Sequence, residues 1–94
     1  MKHPVVYIMA SQRNGTIYTG LTSELIQRIH QHRTATTGFT AQHNCKRLPW
    51  FEQHETMESA ITREKQIKAG SRKPKLKLIE TTNPHWRDLY PNLL

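Results

Sequence analysis

The chain has 94 residues, which suits one small domain over residues 1–94 and leaves no room for a separate substrate-recognition domain. Fourteen lysines and arginines against seven acidic residues give a formal charge of +7 and an isoelectric point near 10, which favours a polyanionic partner such as nucleic acid. The single cysteine, Cys45, excludes an internal disulfide and suits an interior thiol, and no apolar segment is long enough to cross a membrane. We therefore expect a cytoplasmic protein with no membrane partner.

A β-hairpin is predicted at the start of the chain. Residues 5–9 (VVYIM) and 16–19 (TIYT) are rich in β-branched and aromatic side chains, and the polar stretch between them ends in Asn14-Gly15. We expect Gly20 to end the second strand. Each of the two strands carries one tyrosine, Tyr7 and Tyr18.

A helix is predicted directly after the hairpin. Thr22 or Ser23 can cap a helix over residues 24–33. Arg28 and His32 are one turn apart on this helix and share a face, which flanks the apolar stripe and tilts toward the sheet. Two phenols, a guanidinium and an imidazole can therefore converge.

The middle of the chain predicts a loop and a third strand. Residues 34–40 are polar with one aromatic, which is typical of a loop. Residues 46–54 (KRLPWFEQH) read as a strand, and Pro49 indicates that this strand lies at an edge or contains a bulge.

Helices are predicted for the rest of the chain. One begins after Thr56, covers residues 57–69 and is ended by Gly70. Two more are expected, one from residue 71 through residue 79 and one over residues 84–89 with Asn83 as its N-cap. The element order predicts an α+β fold, a small antiparallel three-stranded sheet packed with helices.

The residues of the hairpin resemble the two tripeptides that name the GIY-YIG nuclease family. They stand here as V-V-Y (5–7) and Y-T-G (18–20), so Val5 and Thr19 depart from the pattern while both phenols and the last glycine remain. The resemblance continues in LTSELIQRIHQH (21–32), GFTAQHNCKRL (38–48), AITREKQIK (60–68) and Asn83-Pro84. The resemblance covers nearly the whole chain, and the chain is most similar to the small stand-alone bacterial members of the family. It implies the GIY-YIG fold and an endonuclease activity.

Glu64 is the most informative carboxylate. On a helical wheel it falls within an apolar face formed by Met57, Ala60, Ile61 and Ile67, and it is the only acid between residues 63 and 77. One interpretation is a buried ion pair with Arg28 or a lysine. The other is a ligand of one Mg²⁺ or Mn²⁺ ion, with waters and phosphate oxygens as the remaining ligands of the ion. The family resemblance implies the metal ligand.

The residues of the hairpin and first helix also have two interpretations. Tyr7 and Tyr18 could be ordinary strand aromatics, Arg28 could pair with Glu24 one turn earlier, and His32 could lie on the helix surface. The resemblance instead implies catalysis: the tyrosines handle a proton, and Arg28 and His32 hold the scissile phosphate. It does not assign the base to one tyrosine.

Asn83 and a basic run complete the candidate residues. The resemblance implies that Asn83 helps to close the active site, and a role as helix cap is the alternative. Six basic side chains favour a surface that follows phosphates, or else a solvated face that keeps the protein soluble: Lys65, Lys68, Arg72, Lys73, Lys75 and Lys77.

Together these features predict an endonuclease that uses one divalent metal ion to hydrolyse phosphodiester bonds of nucleic acid, with DNA as the favoured substrate. We expect it to read backbone or shape rather than bases, because no recognition domain is present. The alternatives are a non-catalytic nucleic-acid-binding module and a nuclease subunit that acts only in a larger complex, with a protein partner supplying specificity.

Overall fold

The computed structural model describes residues 3–94, in which three strands, four α-helices and one 3₁₀ helix occur. The strands are β1 (Val5–Ala10), β2 (Ile17–Thr22) and β3 (Arg47–Gln53). The helices are α1 (Leu25–Thr34), α2 (Phe39–Gln42), α3 (Met57–Ala69), α4 (Arg72–Thr82) and the 3₁₀ helix Tyr90–Leu93. The strands form one antiparallel sheet in the order β2-β1-β3. The predicted α+β fold with a three-stranded antiparallel sheet is confirmed.

The central strand, β1, explains why the sheet needs helices on both sides. All six of its side chains are buried. Because successive side chains of a strand point to opposite faces, β1 contributes to two cores, with Val6, Ile8 and Ala10 in one and Val5, Tyr7 and Met9 in the other. An uninterrupted apolar run such as VVYIMA is what a strand covered on both faces requires.

The two cores have different covers. On one face, α3, α4 and Trp86 pack against the sheet through side chains that include Ala60, Ile67 and Ile79. On the other face, Leu25 and Ile29 of α1 pack beside the buried Cys45. The prediction of an interior thiol is confirmed, and burial raises the pKa of Cys45.

The second strand does not end at Gly20, as predicted, but continues to Thr22. Gly20 keeps its place in the antiparallel pairing opposite Tyr7, and its lack of a side chain makes room for that ring instead of ending the strand. The predicted helix cap is also displaced. Thr22 accepts a hydrogen bond from the Glu24 N–H at 3.0 Å, but Glu24 itself occupies the N-cap of α1.

The third strand confirms both expectations drawn from its proline. It lies at the edge of the sheet, and its pairing with β1 is irregular between Ile8 and Ala10. Pro49 has no N–H to donate to a ladder, so it is tolerated at this irregularity.

The helix α3 begins and ends where the sequence predicts. The Thr56 side chain accepts a hydrogen bond from the Ser59 N–H at 3.1 Å, and Gly70 ends the helix. The predicted apolar face is wrong in part, because Met57 and Ile61 are 41% and 37% exposed whereas Ala60 and Ile67 are buried. A three-stranded sheet is narrow and covers only one stripe of the helix.

Two predictions for the connecting segments are wrong. Residues 34–40 do not remain a loop throughout, because α2 begins at Phe39 and buries Thr40. Residues 84–89 form no helix; Trp86 has a φ of +55°, which a right-handed helix cannot contain, and the chain turns there to bury the indole. Asn83 is accordingly the C-cap of α4 and not an N-cap. Within residues 3–94, no helix has the length and hydropathy needed to cross a bilayer.

Candidate active site

The Tyr7 ring lies against Gly20 of the neighbouring strand. A Cβ atom placed on Gly20 would be 2.4 Å from both Cζ and Oη of Tyr7, which is closer than any side chain allows. Any larger residue at position 20 would displace the ring. Because Gly20 on the edge strand β2 has no side chain, the Tyr7 ring can lie against its backbone, and this contact sets the position of the Tyr7 hydroxyl.

A chain of hydrogen bonds leads from this hydroxyl into α1 and α2. The Tyr7 hydroxyl is 2.7 Å from Nε2 of His32, and Nδ1 of His32 is 3.1 Å from Oγ1 of Thr40. We assign Tyr7 as donor to Nε2 and Nδ1–H as donor to Thr40, because a phenol is a stronger acid than an imidazole N–H. Each member of the chain then has a defined role as donor or acceptor.

The surroundings of the His32 imidazole favour its neutral form, which can act as a base. Burial, with a smaller contribution from the Arg28 charge, lowers the pKa of His32 below its ordinary value. At neutral pH the ring is therefore uncharged, and Nε2 keeps the lone pair that a phenol proton needs.

Tyr7 itself is buried, and its phenol stays protonated. Burial raises the pKa of Tyr7, and the hydrogen bond from the Arg28 guanidinium offsets this only in part. A nearby cation can stabilise a phenolate, but Arg28 alone does not overcome the loss of solvation. Tyr7 can release its proton only to a partner that is already in contact, and His32 is such a partner.

Arg28 connects the tyrosines to the surface. Its side chain is exposed, and its interactions with Tyr7 and Tyr18 raise the pKa of the guanidinium further. It also donates a long hydrogen bond of 3.4 Å to Gln31. A guanidinium placed in this way can leave the phenol to bind an incoming phosphate, because the side chain is exposed to solvent.

Tyr18 completes this cluster of side chains. Its ring centroid lies 6.5 Å from that of Tyr7 and 5.4 Å from that of His32, and the side chain is half-buried. The structure therefore brings together the two tyrosines, the arginine and the histidine that the sequence nominated.

Glu64 approaches the cluster from the helix α3, which packs beside β2. Its charge contributes to the raised pKa of Tyr7, so the carboxylate lies within electrostatic reach of the phenol. Its side chain is 19% exposed, and Oε2 is 3.2 Å from Nζ of Lys68, which is half exposed. The ion pair expected as an alternative is thus made with a surface lysine one turn away, and such a pair constrains the carboxylate only weakly.

Comparison with known proteins decides the family. The GIY-YIG catalytic domain matches residues 3–77. The chain belongs to the GIY-YIG family. It is 33% identical over 76 residues to a UPF0213 protein of Staphylococcus aureus strain Mu3, and the aligned region covers 80% of this chain and 92% of the relative. A UPF0213 protein of Staphylococcus saprophyticus is 33% identical over 75 residues, with 79% and 90% covered. No solved structure matches.

Membership of the GIY-YIG family carries chemical consequences. The domain is a nuclease domain, which implies nucleic acid as the substrate, and nucleases of this family generally use divalent metal ions. In residues 3–94, no group of three histidine, cysteine or acidic side chains is arranged to hold a metal. One hard carboxylate, Glu64, fits Mg²⁺ or Mn²⁺, which accept waters and substrate phosphates as their other ligands, and does not fit zinc.

Asn83 lies away from this cluster, at the end of α4 and beyond the residues that the family model matches. Its side-chain amide donates to the carbonyls of Pro49 and Arg87 at 3.0 and 2.8 Å, and its oxygen accepts from the Arg87 N–H at 3.1 Å. These bonds join the C-terminal segment to β3. They give Asn83 a structural task, while the role in closing the active site stays a prediction.

The six basic residues of the predicted phosphate-following surface differ in their surroundings. Lys68 pairs with Glu64, and Arg72 donates to the carbonyls of Asn14 and Gly15 at 3.0 and 2.5 Å, which fixes the start of α4 to the hairpin turn. Lys65, Lys73 and Lys77 are exposed, and Lys75 is half-buried. The run thus extends from the helix that carries Glu64 to the hairpin.

Sequence reasoning missed two residues of α2. Thr40 is 5% exposed and holds Nδ1 of His32, and Phe39 places its ring 5.9 Å from that of Tyr18. Both belong to the polar stretch that was predicted to be a loop. No periodicity marks a single turn of helix, so only the three-dimensional structure identifies them.

Proposed function

We propose that this protein is an endonuclease that hydrolyses phosphodiester bonds of DNA with the help of one divalent metal ion. The observation that supports the proposal most directly is the chain from Tyr7 through His32 to Thr40, beside the guanidinium of Arg28. A site of this kind can accept a proton and bind a phosphate at the same place, which are the two tasks of phosphodiester hydrolysis.

The proton of the attacking water passes through Tyr7 in this proposal. As the water oxygen bonds to phosphorus, its proton moves to the Tyr7 oxygen while the phenol proton moves to Nε2 of His32. The bond from phosphorus to the leaving oxygen breaks, and that oxygen takes a proton from solvent. Thr40 holds the other ring nitrogen, so the lone pair of Nε2 stays aimed at the phenol.

Arg28 acts as the phosphate ligand. Because Tyr7 is fully buried while Arg28 is exposed and bonded to its hydroxyl, the arrival of a phosphate would draw the guanidinium outward and admit water to the phenol. Arg28 can then bind two phosphate oxygens and stabilise the additional charge of the pentacoordinate transition state. Tyr18, whose ring centroid lies 5.4 Å from that of His32, can orient the water.

Glu64 would hold the Mg²⁺ or Mn²⁺ ion. When bound, such an ion stabilises the negative charge that develops on the phosphate and on the leaving oxygen. A single carboxylate favours one ion, since two-metal sites place the ions about 4 Å apart among several acids. Lys68 can release the carboxylate without stranding a buried charge, because the lysine is half exposed.

The Glu64→Gln variant tests the metal site, with Glu58→Gln on the same helix as a control. We expect the Glu64 variant to lose metal-dependent cleavage and to bind Mn²⁺ more weakly, as read from the electron paramagnetic resonance signal of free Mn²⁺. The melting temperature without metal should barely move, because the pair with Lys68 contributes less than about 1 kcal/mol. Strong destabilisation together with undiminished metal-dependent cleavage would contradict the assignment.

The basic run from Lys65 to Lys77 supports a nucleic-acid backbone as the partner. Affinity for DNA should fall steeply as salt rises and should depend little on sequence, because each neutralised phosphate releases counterions. Replacing the exposed Lys73 and the half-buried Lys75 by glutamine should flatten that salt dependence. Affinity that does not respond to salt would remove these residues from the interface.

The function as a whole is tested by incubating the purified protein with labelled single-stranded, duplex and branched DNA, with and without Mg²⁺ or Mn²⁺. We expect internal cleavage that requires the metal. Binding without cleavage under every condition would support the non-catalytic module, and cleavage that appears only after addition of a cell extract would support a subunit of a larger complex.

A further inference from the structure

Phe39 is an aromatic side chain that the fold leaves half in solvent. It is 46% exposed and belongs to neither of the two cores. Its ring centroid lies 4.4 Å from that of the exposed His43 and 5.9 Å from that of Tyr18. A row of rings therefore runs from the hydrogen-bonded Tyr7 and His32 outward to solvent.

The position of Phe39 is fixed relative to the chemical groups. Its neighbour Thr40 is buried, contacts His32 at 3.1 Å and accepts a hydrogen bond from the Cys45 N–H at 2.7 Å. Gly38, on the other side, has a φ of +94° with open space around it. The backbone thus anchors α2 through Thr40 and presents the Phe39 ring beside the site.

From these contacts we propose that Phe39 and His43 form a stacking platform for one unpaired nucleobase of the substrate strand, next to the phosphate bound by Arg28. The proposal rests on the function proposed above and deepens it, because it names the substrate class. An exposed aromatic face stacks any base without regard to sequence. A base inside an intact duplex already stacks on its neighbours, so the platform favours single-stranded or branched nucleic acid.

Charge and neighbourhood distinguish this surface from an apolar docking site for a protein. The ring is flanked by His43 and by Tyr18, which interacts with the guanidinium of Arg28, and the chain carries a net charge of +7. A polyanion that also offers flat aromatic faces fits both features, and nucleic acid has this combination.

The test is equilibrium binding in EDTA, so that cleavage does not contribute. Three fluorescent ligands are compared: a single-stranded 12-mer, a 12-mer of abasic residues with the same phosphates, and the fully paired duplex. The Phe39→Ala variant should bind the single strand about five- to a hundredfold more weakly than the parent, with no change for the abasic 12-mer. The Phe39→Trp variant should keep the affinity, and its added fluorescence should be quenched by the single strand alone.

Two control variants define the result. Ile26→Ala removes an apolar side chain of similar exposure from α1 and should leave all three affinities unchanged. Phe39→Leu keeps apolar area but no aromatic face and should behave like Phe39→Ala. Melting curves for each variant check that it is folded.

The proposal is overturned if Phe39→Leu binds the single strand as well as the parent, or if Phe39→Ala weakens binding of the abasic 12-mer equally. It is also overturned if Phe39→Ala has no effect while the parent binds well, in which case the nuclease function stands. If the parent binds none of the three ligands at low salt, the proposed function fails together with the platform.

Discussion

Two groups of polar side chains in different parts of the fold show how differently a small domain can use buried hydrogen bonds. At one, the Asn83 side chain bonds to backbone atoms of Pro49 and Arg87. At the other, Tyr7 bonds to His32 and His32 to Thr40, side chain to side chain. Both remove polar groups from water and satisfy them, as stability requires.

The difference lies in what the partners can do. Backbone carbonyls and amides do not titrate near neutral pH, so the Asn83 bonds fix the path of the chain. A phenol and an imidazole exchange a proton, and their grouping ends at an exposed guanidinium, Arg28, that a substrate can reach. A buried hydrogen bond between two titratable side chains that leads to the surface is therefore a marker of chemistry, and one that ends on backbone is a marker of architecture.

The largest expected effect is on the cleavage rate and comes from removing the phenol hydroxyl of Tyr7. Tyr7→Phe keeps the ring against Gly20 but deletes the proton carrier, so the cleavage rate should fall by about 10²- to 10⁴-fold. DNA affinity and the melting temperature should change little. Initial rates under saturating metal measure the effect, and Tyr90→Phe, which alters a half-buried tyrosine that stacks under Arg33, is the matched control.

Tyr18→Phe, assayed beside it, decides which phenol carries the proton. If Tyr18→Phe loses far more activity than Tyr7→Phe, the path through His32 is wrong and Tyr18 is the base. If both variants cleave at the parental rate, the proposed site is wrong.

The next effect should appear in stability. Asn83→Ala removes three hydrogen bonds from a position that is 7% exposed and leaves the carbonyl of Pro49 without this donor. We expect the free energy of unfolding to fall by about 2–4 kcal/mol, measured by urea unfolding. The cleavage rate per folded molecule then tests the second role: an unchanged rate would confine Asn83 to architecture, and a large loss would place it in the site.

The two groupings also differ in how far the sequence foretold them. Tyr7, Tyr18, Arg28 and His32 lie on a hairpin and a helix that follow each other in the chain, so strand pairing and helical periodicity suffice to bring them together. Asn83 is different, because its partners are set by the turn that buries Trp86 and by contact with a distant strand. Local rules therefore favoured an N-cap that the structure does not contain.

The positions of Gly20 and Thr40 show the same limit. The sequence marked Gly20 as a strand breaker, whereas its use depends on the ring of Tyr7 across the pairing. Thr40 sits in a polar stretch that looks like loop, and only the fold carries it to His32. The sequence can nominate groups that react, but the residues that position them depend on long-range contacts.

A smaller effect on the cleavage rate is expected when the His32 imidazole loses the hydrogen bond that orients it, while Tyr7 and His32 themselves are kept. Thr40→Val is nearly isosteric and deletes only the acceptor for Nδ1–H of His32, so the imidazole loses its preferred orientation. The loss of one hydrogen bond of about 1 kcal/mol should slow cleavage roughly five- to tenfold. Thr40→Ser should restore the rate, and failure of this rescue would mean that packing rather than the hydrogen bond matters.

The smallest effect concerns the pH dependence of stability that arises at His32. Burial and the Arg28 charge lower the pKa of His32 in the folded protein, whereas in the unfolded chain it has its ordinary value of about 6.5. The unfolded chain therefore binds more protons in this range. The stability contributed by neutral His32 is fully present above about pH 6.5 and is lost as the pH falls through the folded-state pKa.

Melting temperatures between pH 7.5 and 5 should therefore decline more steeply for the parent than for His32→Gln. His30→Gln, an exposed site on the same helix, should follow the parent. Cleavage by the parent should decline over the same range, because a protonated imidazole has no lone pair to receive the proton of Tyr7. Parallel melting profiles for the parent and His32→Gln would show that the imidazole is not held neutral by its surroundings, and the proton path through it would lose its support.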